Sequence, residues 1–300
     1  MSFDHDVLSA TQVFNKNLHV LAQQQKSKLE DAVRIESMSA ASQFFDRVGE
    51  IEMTELTSRH QDTPFTPVPF SRRRVDIKNY SVSDIIDREE DAVKMMVDPQ
   101  SATTSTFLNA GNRNMDKVII DSLLGTAIAT DASFGETSVA APSTDGVDRV
   151  AVGTTNLPAA KIKDGIEIMM ANDVDLAQDK PYLVITPSQY RSLLSEEEFI
   201  NNDFRLTSGS QLGAPMVGEM LGVDIRIVSP NLLPKTSNTR TCILFTKGSC
   251  VVGMQNKFSV KTLEDPTKNG SVRIIAKQNF GAVRMEEARV VPILCDESAT

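Results

Sequence analysis

The sequence predicts an α+β protein, and three observations carry this prediction. A continuous helical pattern runs from about residue 99 to 128, which at 1.5 Å per residue gives a helix of about 45 Å. Alternating apolar and polar residues, as in 223–228 and 258–263, predict strands. Proline-rich residues that favour extended backbone precede the helix. A chain of 300 residues can bury a sizeable core, as one large domain or two smaller ones.

The first predicted element is an amphipathic helix over residues 11–35. Its apolar stripe contains Phe14, Leu18, Leu21 and Leu29, and it is narrow. A helix with such a stripe needs another surface to lie on. Two interpretations stay open, an ordinary core-packing helix and an N-terminal arm that docks on a neighbouring subunit.

Residues 50–80 predict a long extended hairpin. Apolar residues alternate with polar ones over 51–56, and strand-like alternation resumes after Val75. The tip between them holds three prolines within six residues, Pro64, Pro67 and Pro69, which exclude a helix or a central strand. Because polar residues occur on both faces, the hairpin cannot bury itself, and we expect it to lie on another molecule or extend into solvent.

The long helix begins at an N-cap, Asp98, followed by Pro99. A loop or weak hairpin is expected over 130–156, followed by a compact α/β unit. Its predicted elements are a helix from about 157, strand 182–186, helix 188–194, a short helix 216–221 ending at Gly222, and strands 223–228 and 241–246. The chain ends in strands 258–263, 272–276 and 288–294.

Composition argues against several classes of protein. The charges sum to −9, which disfavours a generally basic nucleic-acid binder, and aromatic residues are 5% with no Trp, which disfavours a base-stacking platform. No apolar run reaches the roughly 18 residues of a membrane span, and we expect no signal peptide at the acidic N-terminus. The three cysteines, Cys242, Cys250 and Cys295, lack CxxC spacing and fit a reducing compartment.

Sequence signatures of catalysis are missing, so we expect no catalytic, cofactor-binding or metal-binding residues. The chain contains no GxxxxGK[ST], GxGxxG, GxSxG or HExxH motif, and its three histidines precede residue 61. The acidic groups Asp4–Asp6 and Glu196–Glu198 are interpreted as solvated charges. One enzymatic alternative stays open: a ligand at the carboxyl end of strand 182–186 within an α/β unit spanning 157–255.

Arg72, Arg73 and Arg74 form the one local basic cluster, which fits either phosphate or the carboxylates of a neighbouring protein surface. The acidic chain favours the protein surface, since the planar guanidinium pairs carboxylates bidentately. We therefore predict an inter-subunit contact made by the arginines with Asp62 and Pro64 of the same loop. The predicted acidic partners are Asp87, Glu89, Glu90 and Asp91 before the long helix, or Glu196–Glu198.

The order of these parts resembles that of the major capsid proteins of tailed double-stranded DNA phages with the Hong Kong 97 fold. Local stretches resemble one subfamily of them over about residues 40–295. These stretches are Phe44–Gly49, Ser58–Pro64, Ser71–Arg74, Asp98–Ser101, and Asp116–Asp121 before Gly125–Ala127. No single motif is decisive, and their order and spacing carry the resemblance.

The resemblance implies a domain plan and a function. Residues 1–50 would be the N-terminal arm, 51–83 the E-loop, 84–155 with 256–300 the peripheral domain with its spine helix, and 156–255 the axial domain. Such a protein is not an enzyme. Its copies assemble as hexamers and pentamers into the icosahedral shell that encloses the phage double-stranded DNA. An encapsulin-like cargo compartment of the same fold is the alternative.

The resemblance also implies partners. These would be other copies of the chain, a separate scaffolding protein, a portal, a possible decoration protein, and packaged DNA held without sequence-specific binding, with no membrane. We expect the protein in the virion capsid after assembly in the host cytoplasm. Some relatives crosslink an E-loop lysine to a neighbour's asparagine. Residues 59–74 contain no lysine, so that crosslink is not expected here.

Overall fold

The computed structural model describes residues 23–58, 62, 65–86, 100–130, 135–195, 219–268 and 271–298. Within these ranges the α-helices are α1 (Gln100–Leu124), α2 (Ala159–Ala171) and α3 (Pro187–Leu194). The strands of the first half are β1 (Arg34–Ser37), β2 (Ser42–Val48), β3 (Phe70–Asp76), β4 (Lys78–Ile86), β5 (Ala127–Thr130) and β6 (Glu136–Val139). Those of the second half are β7 (Pro181–Ile185), β8 (Glu219–Met220), β9 (Val223–Ile227), β10 (Lys235–Thr236), β11 (Thr239–Thr246), β12 (Cys250–Asp265), β13 (Ser271–Arg284) and β14 (Val290–Asp296).

The described strands form three sheets. One has the order β1-β12-β13-β4, and a second has the order β2-β3-β5-β6. The third has the order β10-β11-β7-β9-β8, with β14 also paired to β11. In the third sheet β7 and β9 are parallel, whereas β11 runs antiparallel to both β7 and β14. The predicted α+β class is confirmed.

The chain divides into two compact units. Among the described residues, the first contains those within Asn79–Arg113 and Asn256–Gln278, together with residues 23–26. Its core joins Phe107 of α1 to Ile274 and Ala276 of β13, with Phe258 of β12 packed against them. Gly111 permits this approach, because a Cβ there would lie 2.5 Å from the Gln278 side-chain nitrogen.

The second unit contains Ser27–Lys78, Asn114–Gln255 and Asn279–Thr300. Its main core lies where α2 and α3 pack on the third sheet. The fully buried residues of this core include Leu183, Ile185, Leu244 and Ile293 from the strands and Met169 and Leu193 from the helices. Consecutive buried residues on β7 and β11 explain their apolar runs, since both faces of a central strand are covered.

The long helix and the strand–helix order of the α/β unit are confirmed, with shifted boundaries. Helix α1 ends at Leu124 rather than 128, because Gly125 follows and the chain enters β5. Its 25 residues give a length of about 37 Å. The predicted Asp98–Pro99 start lies outside the described residues. Of the loop or weak hairpin expected over 130–156, strand β6 is present, and it pairs with β5, which begins at Ala127 inside the predicted helix.

The predicted helix over 11–35 is wrong for its described part. Residues 23–33 contain no α-helix, only a 3-10 turn at Glu30–Ala32, and β1 then pairs in parallel with β12. The backbone N–H groups of Lys28 and Leu29 donate to the Asp116 carboxylate, so a distant side chain replaces local helical acceptors. Residues 11–22 lie outside the described range.

The short helix predicted over 216–221 is also wrong in its described part, where β8 and β9 form a hairpin. Leu221 and Gly222 at its turn have φ of 55° and 76°. Two consecutive positive φ values are the signature of a type I′ turn, in which glycine is favoured. The glycine interpreted as a helix end is therefore a hairpin residue. Residues 216–218 lie outside the described range.

The long hairpin is confirmed, but its first strand lies earlier than expected. Strand β2 pairs antiparallel with β3, in register from Ser42 opposite Asp76 to Val48 opposite Phe70. The ladder closes where Gly49 N–H donates to the Pro69 carbonyl at 2.7 Å. Residues 51–58 are neither helix nor strand, so the predicted strand over 51–56 is wrong. Residues 49–69 form the connection, which we call the hairpin loop.

Candidate assembly surface

The arginine cluster lies on β3, and strand alternation separates its members. Arg73 shares the inward face with Val75 and is 3% exposed, whereas Arg72 is exposed and Arg74 is half-buried. Val75 belongs to a small core with Met38, Ala127 and Val283. The spacing of Arg73 and Val75, two residues apart on a strand, is the sequence signal that places both on one face.

The two outward arginines pair with carboxylates of their own sheet. Arg72 Nε lies 2.7 Å from Asp46 Oδ1, on the residue directly opposite it in β2. Arg74 Nε lies 3.1 Å from Asp76, and Arg74 Nη1 pairs with Glu136 of β6. Exposed pairs of this kind add little stability, at most about 1 kcal/mol each.

The inward arginine makes a stronger contact. Arg73 Nη2 donates to both Glu287 carboxylate oxygens at 2.8 Å. Arg47 and Arg284 also lie within 3.6 Å of the same carboxylate, so Glu287 serves three guanidinium groups. Burial lowers the pKa of Arg73, and the Glu287 charge opposes that shift. The Arg73 Nη1 atom is buried without a partner.

Arg284 is fully buried, and sequence reasoning did not single it out. Its guanidinium donates to the carbonyls of Leu123 and Gly125 at the end of α1, at 2.8 and 2.6 Å. It also donates to Val139 and Ala140 at 3.2 and 2.8 Å. A helix end leaves carbonyls unpaired and carries partial negative charge, and a buried guanidinium supplies both hydrogen bonds and a counter-charge.

The structure therefore gives all three predicted arginines partners within their own chain. Asp62 is exposed in the hairpin loop. Pro64, Asp87, Glu89, Glu90, Asp91 and Glu196–Glu198 lie outside the described residues. The contact of these groups with a neighbouring subunit stays a prediction.

The hairpin loop exposes an unusual number of large apolar side chains. Met53 is 100% and Phe65 92% exposed, and five more lie in the loop or beside it: Val48, Ile51, Leu56, Val68 and Phe70. A soluble monomer rarely exposes so many neighbouring apolar groups, and such surfaces mark protein–protein contacts. Because the described residues leave Met53 and Phe65 almost fully exposed, the loop has the surface of a protein–protein interface.

A second feature fixes the segment that leads out of the N-terminal residues. The Asp116 carboxylate of α1 is fully buried and accepts Ser27 Oγ at 2.5 Å and Leu29 N–H at 3.2 Å. Lys28 Nζ donates to the Ile227 carbonyl at 2.5 Å, and Asp31 pairs with Arg226 at 3.2 Å. Residues 27–31 are thus tied to α1 and to the end of β9.

Glu297 forms a polar network near the end of the chain. It accepts from Arg240 Nε at 2.9 Å and Gln189 Nε2 at 3.1 Å, and its side chain is 12% exposed. Lys235 also pairs with it at 2.5 Å. The hydrogen bond from Arg240, opposed by burial and reinforced by Lys235 and Gln189, lowers the pKa of Glu297 to about 2.

Lys161 of α2 is buried without a carboxylate partner in hydrogen-bond range among the described residues. Its ammonium donates to four backbone carbonyls, Val152 at 2.6 Å, Thr155 at 2.8 Å, Leu294 at 2.9 Å and Asn156 at 3.0 Å. Burial lowers the pKa of this ammonium. The contact joins the residues before α2 to β14.

The reactive side chains of the described residues are placed for packing. Cys242, Cys250 and Cys295 are buried free thiols, and burial raises the pKa of Cys250 to about 11. No group of three or more metal-ligating side chains occurs among the residues that the structure describes. Within the same ranges, no helix is both long enough and apolar enough to span a bilayer.

Comparisons with known proteins match nearly the whole chain to phage capsid proteins. The family described as phage capsid protein matches residues 8–297. The fold resembles the capsid asymmetric unit of cyanophage Pam1, with TM-score 0.71, 13% identity and 100% of both chains covered. It also resembles the acidic stable capsid structure of Helicobacter pylori bacteriophage KHP30, with TM-score 0.75, 10% identity and 99% of both chains covered. Mycobacterium phage Che8 matches with TM-score 0.63 and 16% identity over 96% of this chain and 97% of that one. Curated proteins give no significant match.

Proposed function

This chain belongs to the phage capsid protein family and is a major capsid protein of the Hong Kong 97 fold, which forms an icosahedral shell, and we propose how its copies build that shell. The copies assemble as hexamers and pentamers, and the hairpin loop of each copy lies on a neighbouring copy. The shell encloses double-stranded DNA without sequence-specific binding. The protein is structural and is not an enzyme.

The exposed apolar side chains of the hairpin loop are the observation that carries this proposal. Met53 and Phe65 would each bury most of their surface against a second copy, and a buried side chain of this size contributes about 1.5–3 kcal/mol. A closed shell needs several such contacts per subunit, since one small contact cannot hold a container together.

The finer assignments belong to the same proposal. Residues 1–50 serve as the N-terminal arm, 51–83 as the E-loop, 84–155 with 256–300 as the peripheral domain, and 156–255 as the axial domain. Arg72 and Arg74 meet carboxylates of a neighbour in addition to those of their own sheet. A scaffolding protein, a portal and a decoration protein are the expected partners, and assembly takes place in the host cytoplasm.

Assembly of the purified chain tests the proposal. Analytical ultracentrifugation and electron microscopy, with and without co-expressed scaffolding protein, should reveal hexamers, pentamers or closed shells. A chain that stays monomeric at every concentration, both from recombinant material and from dissociated virions, would contradict it.

A further inference from the structure

One face of the sheet formed by β12, β13 and β4 is basic. Phe258, Ile274 and Ala276 pack toward α1 with Phe107. Because side chains alternate along a strand, their odd-numbered neighbours lie on the opposite face. They include four cations, Lys257, Lys261, Arg273 and Lys277, of which the three lysines are exposed, and one carboxylate, Asp265, at the end of β12. We call this set the basic sheet face.

Two lysines of the basic sheet face lack a counter-charge among the described residues. Lys261 and Lys277 have no carboxylate within ion-pair distance there. Arg273 donates to Ser83 Oγ at 3.3 Å, and its Nε is buried without a partner. Leu263, also odd-numbered, is 53% exposed. A face that combines cations with an exposed leucine, in a chain of net charge −9, suits a partner with carboxylates and apolar side chains together.

The hairpin loop carries that chemistry. Glu50, Glu52 and Glu55 are exposed and have no ion-pair partner in the part of the chain that the structure describes. Three exposed apolar residues, Ile51, Met53 and Leu56, lie between or beside these glutamates in the sequence. We call residues 50–56 the acidic loop segment. Extended backbone from Glu50 to Glu55 spans about 17 Å, and the strand from Lys257 to Lys261 spans about 13 Å. The carboxylates and the ammonium groups are therefore spread over similar lengths.

We propose that the acidic loop segment of one copy docks on the basic sheet face of the next copy. The inference rests on the proposed function and adds the two surfaces that meet. In the contact predicted for Arg72 and Arg74 the hairpin supplies the cations, whereas in this contact the hairpin loop supplies the carboxylates. Because the two surfaces differ, the contact is head-to-tail and closes by forming a ring. DNA phosphates would pair with the lysines but would leave Leu263 without an apolar partner.

Charge reversal separates this contact from its alternatives. A loop variant carries Glu52→Lys and Glu55→Lys, a face variant carries Lys261→Glu and Lys277→Glu, and a third chain carries all four changes. Matched controls reverse exposed charges elsewhere, with Asp164→Lys and Glu167→Lys for the loop and Lys117→Glu and Lys247→Glu for the face. Sedimentation reports assembly, and circular dichroism reports folding.

The loop variant and the face variant should each stay folded. Each should need a concentration about tenfold or more higher than the wild type to assemble, because like charges then face each other. The four-change chain should regain assembly. A mixture of the loop and face variants should also assemble, as rings with alternating copies and therefore an even number of subunits. The controls should behave like the wild type.

If the wild type assembles, the proposed function is upheld, and any one of three results would then overturn the docking proposal. In the first, both the loop variant and the face variant assemble normally. The four-change chain could assemble while the mixture does not, which would place the contact inside one chain. The face variant could assemble normally but release DNA from filled particles, which would make the face a phosphate contact. Failure of the wild type to assemble would instead contradict the proposed function.

Discussion

Arg72 and Arg73 are neighbours in the sequence with different physical roles. Arg72 is exposed and pairs across a strand ladder with Asp46, whereas Arg73 is 3% exposed and bidentate to Glu287. The sequence predicted carboxylates of a neighbouring subunit as the partners of both arginines, and the structure gives each of them a carboxylate partner within its own chain. It did not predict that the carboxylates belong to the same chain, because Glu287 lies more than two hundred residues away. Period-two alternation with Val75 was the available signal for the burial of Arg73.

Replacing Arg73 tests this difference. Arg73→Ala should lower the free energy of unfolding by about 1.5–3 kcal/mol, because it removes a buried guanidinium that donates to both carboxylate oxygens of Glu287. Arg72→Ala should lower it by less than about 1 kcal/mol. Urea unfolding followed by circular dichroism measures both. Equal losses for the two variants would show that Arg73 is not the structural arginine.

Glu297 gives the molecule an acid-sensitive contact. Its pKa is lowered to about 2 in the folded chain, below the ordinary 4.5, so its contribution to stability is full above pH 4.5. That contribution is lost as the pH falls from about 4.5 toward 2. Glu297→Gln should be less stable at pH 7 by about 1–3 kcal/mol and should show a shallower loss of stability on acidification. Unfolding midpoints from pH 7 to pH 2 check this, and parallel profiles for the two proteins would refute it.

At the scale of elements, α1 is both a packing element and an anchor. Asp116 holds residues 27–29, and the carbonyls at the helix end are held by Arg284. The helix itself was predictable, since twenty-five residues of helical pattern need no distant contact to be recognised. The helix predicted for residues 23–35 failed because Asp116 supplies acceptors from outside the segment. Local patterns cannot show that a distant side chain outcompetes the local hydrogen bonds.

Asp116→Ala should release the segment that the carboxylate holds. The buried N–H groups of Lys28 and Leu29 would lose their acceptor, at a cost of about 2–3 kcal/mol. Limited proteolysis should then cut within residues 23–33 faster than in the wild type. Asp121→Ala, an exposed aspartate on the same helix, is the matched control and should leave the cleavage rate unchanged. Protection of the segment in the Asp116 variant would contradict the anchoring role.

For the whole molecule, apolar surface is divided between a packed core and a loop that is left exposed. Leu183, Ile185 and Leu244 are fully buried, whereas Met53 and Phe65 in the hairpin loop are almost fully exposed. The order of long hairpin, long helix and α/β unit was predictable from pattern. The β2 strand was not, because its alternation is interrupted by charged residues that pair with β3. The sequence predicted that the hairpin would lie on another molecule or extend into solvent, whereas the exposed fractions of Met53 and Phe65, on which the proposed assembly surface rests, come from the structure.

Met53→Asp combined with Phe65→Asp should leave the subunit folded and block assembly. The charges would fall on side chains that the described residues leave 100% and 92% exposed, so stability should change by less than about 0.5 kcal/mol. Sedimentation should shift from assemblies to small species, with an unchanged circular dichroism spectrum. Val147→Asp with Met170→Asp, also exposed apolar positions, is the control and should assemble. Normal assembly of the loop variant would remove the hairpin loop from the interface.

The four carbonyls around Lys161 amount to a coordination shell for a tethered monovalent cation. The ammonium occupies the place that a dehydrated potassium ion takes among backbone carbonyls, and α2 supplies it already fixed to the chain. In Lys161→Ala the ammonium is absent, and the four carbonyl oxygens are left without the cation that they surround in the wild type. The stability of that variant should therefore rise with potassium or ammonium ions and not with the bulkier tetramethylammonium, a chemical rescue that the wild type does not need.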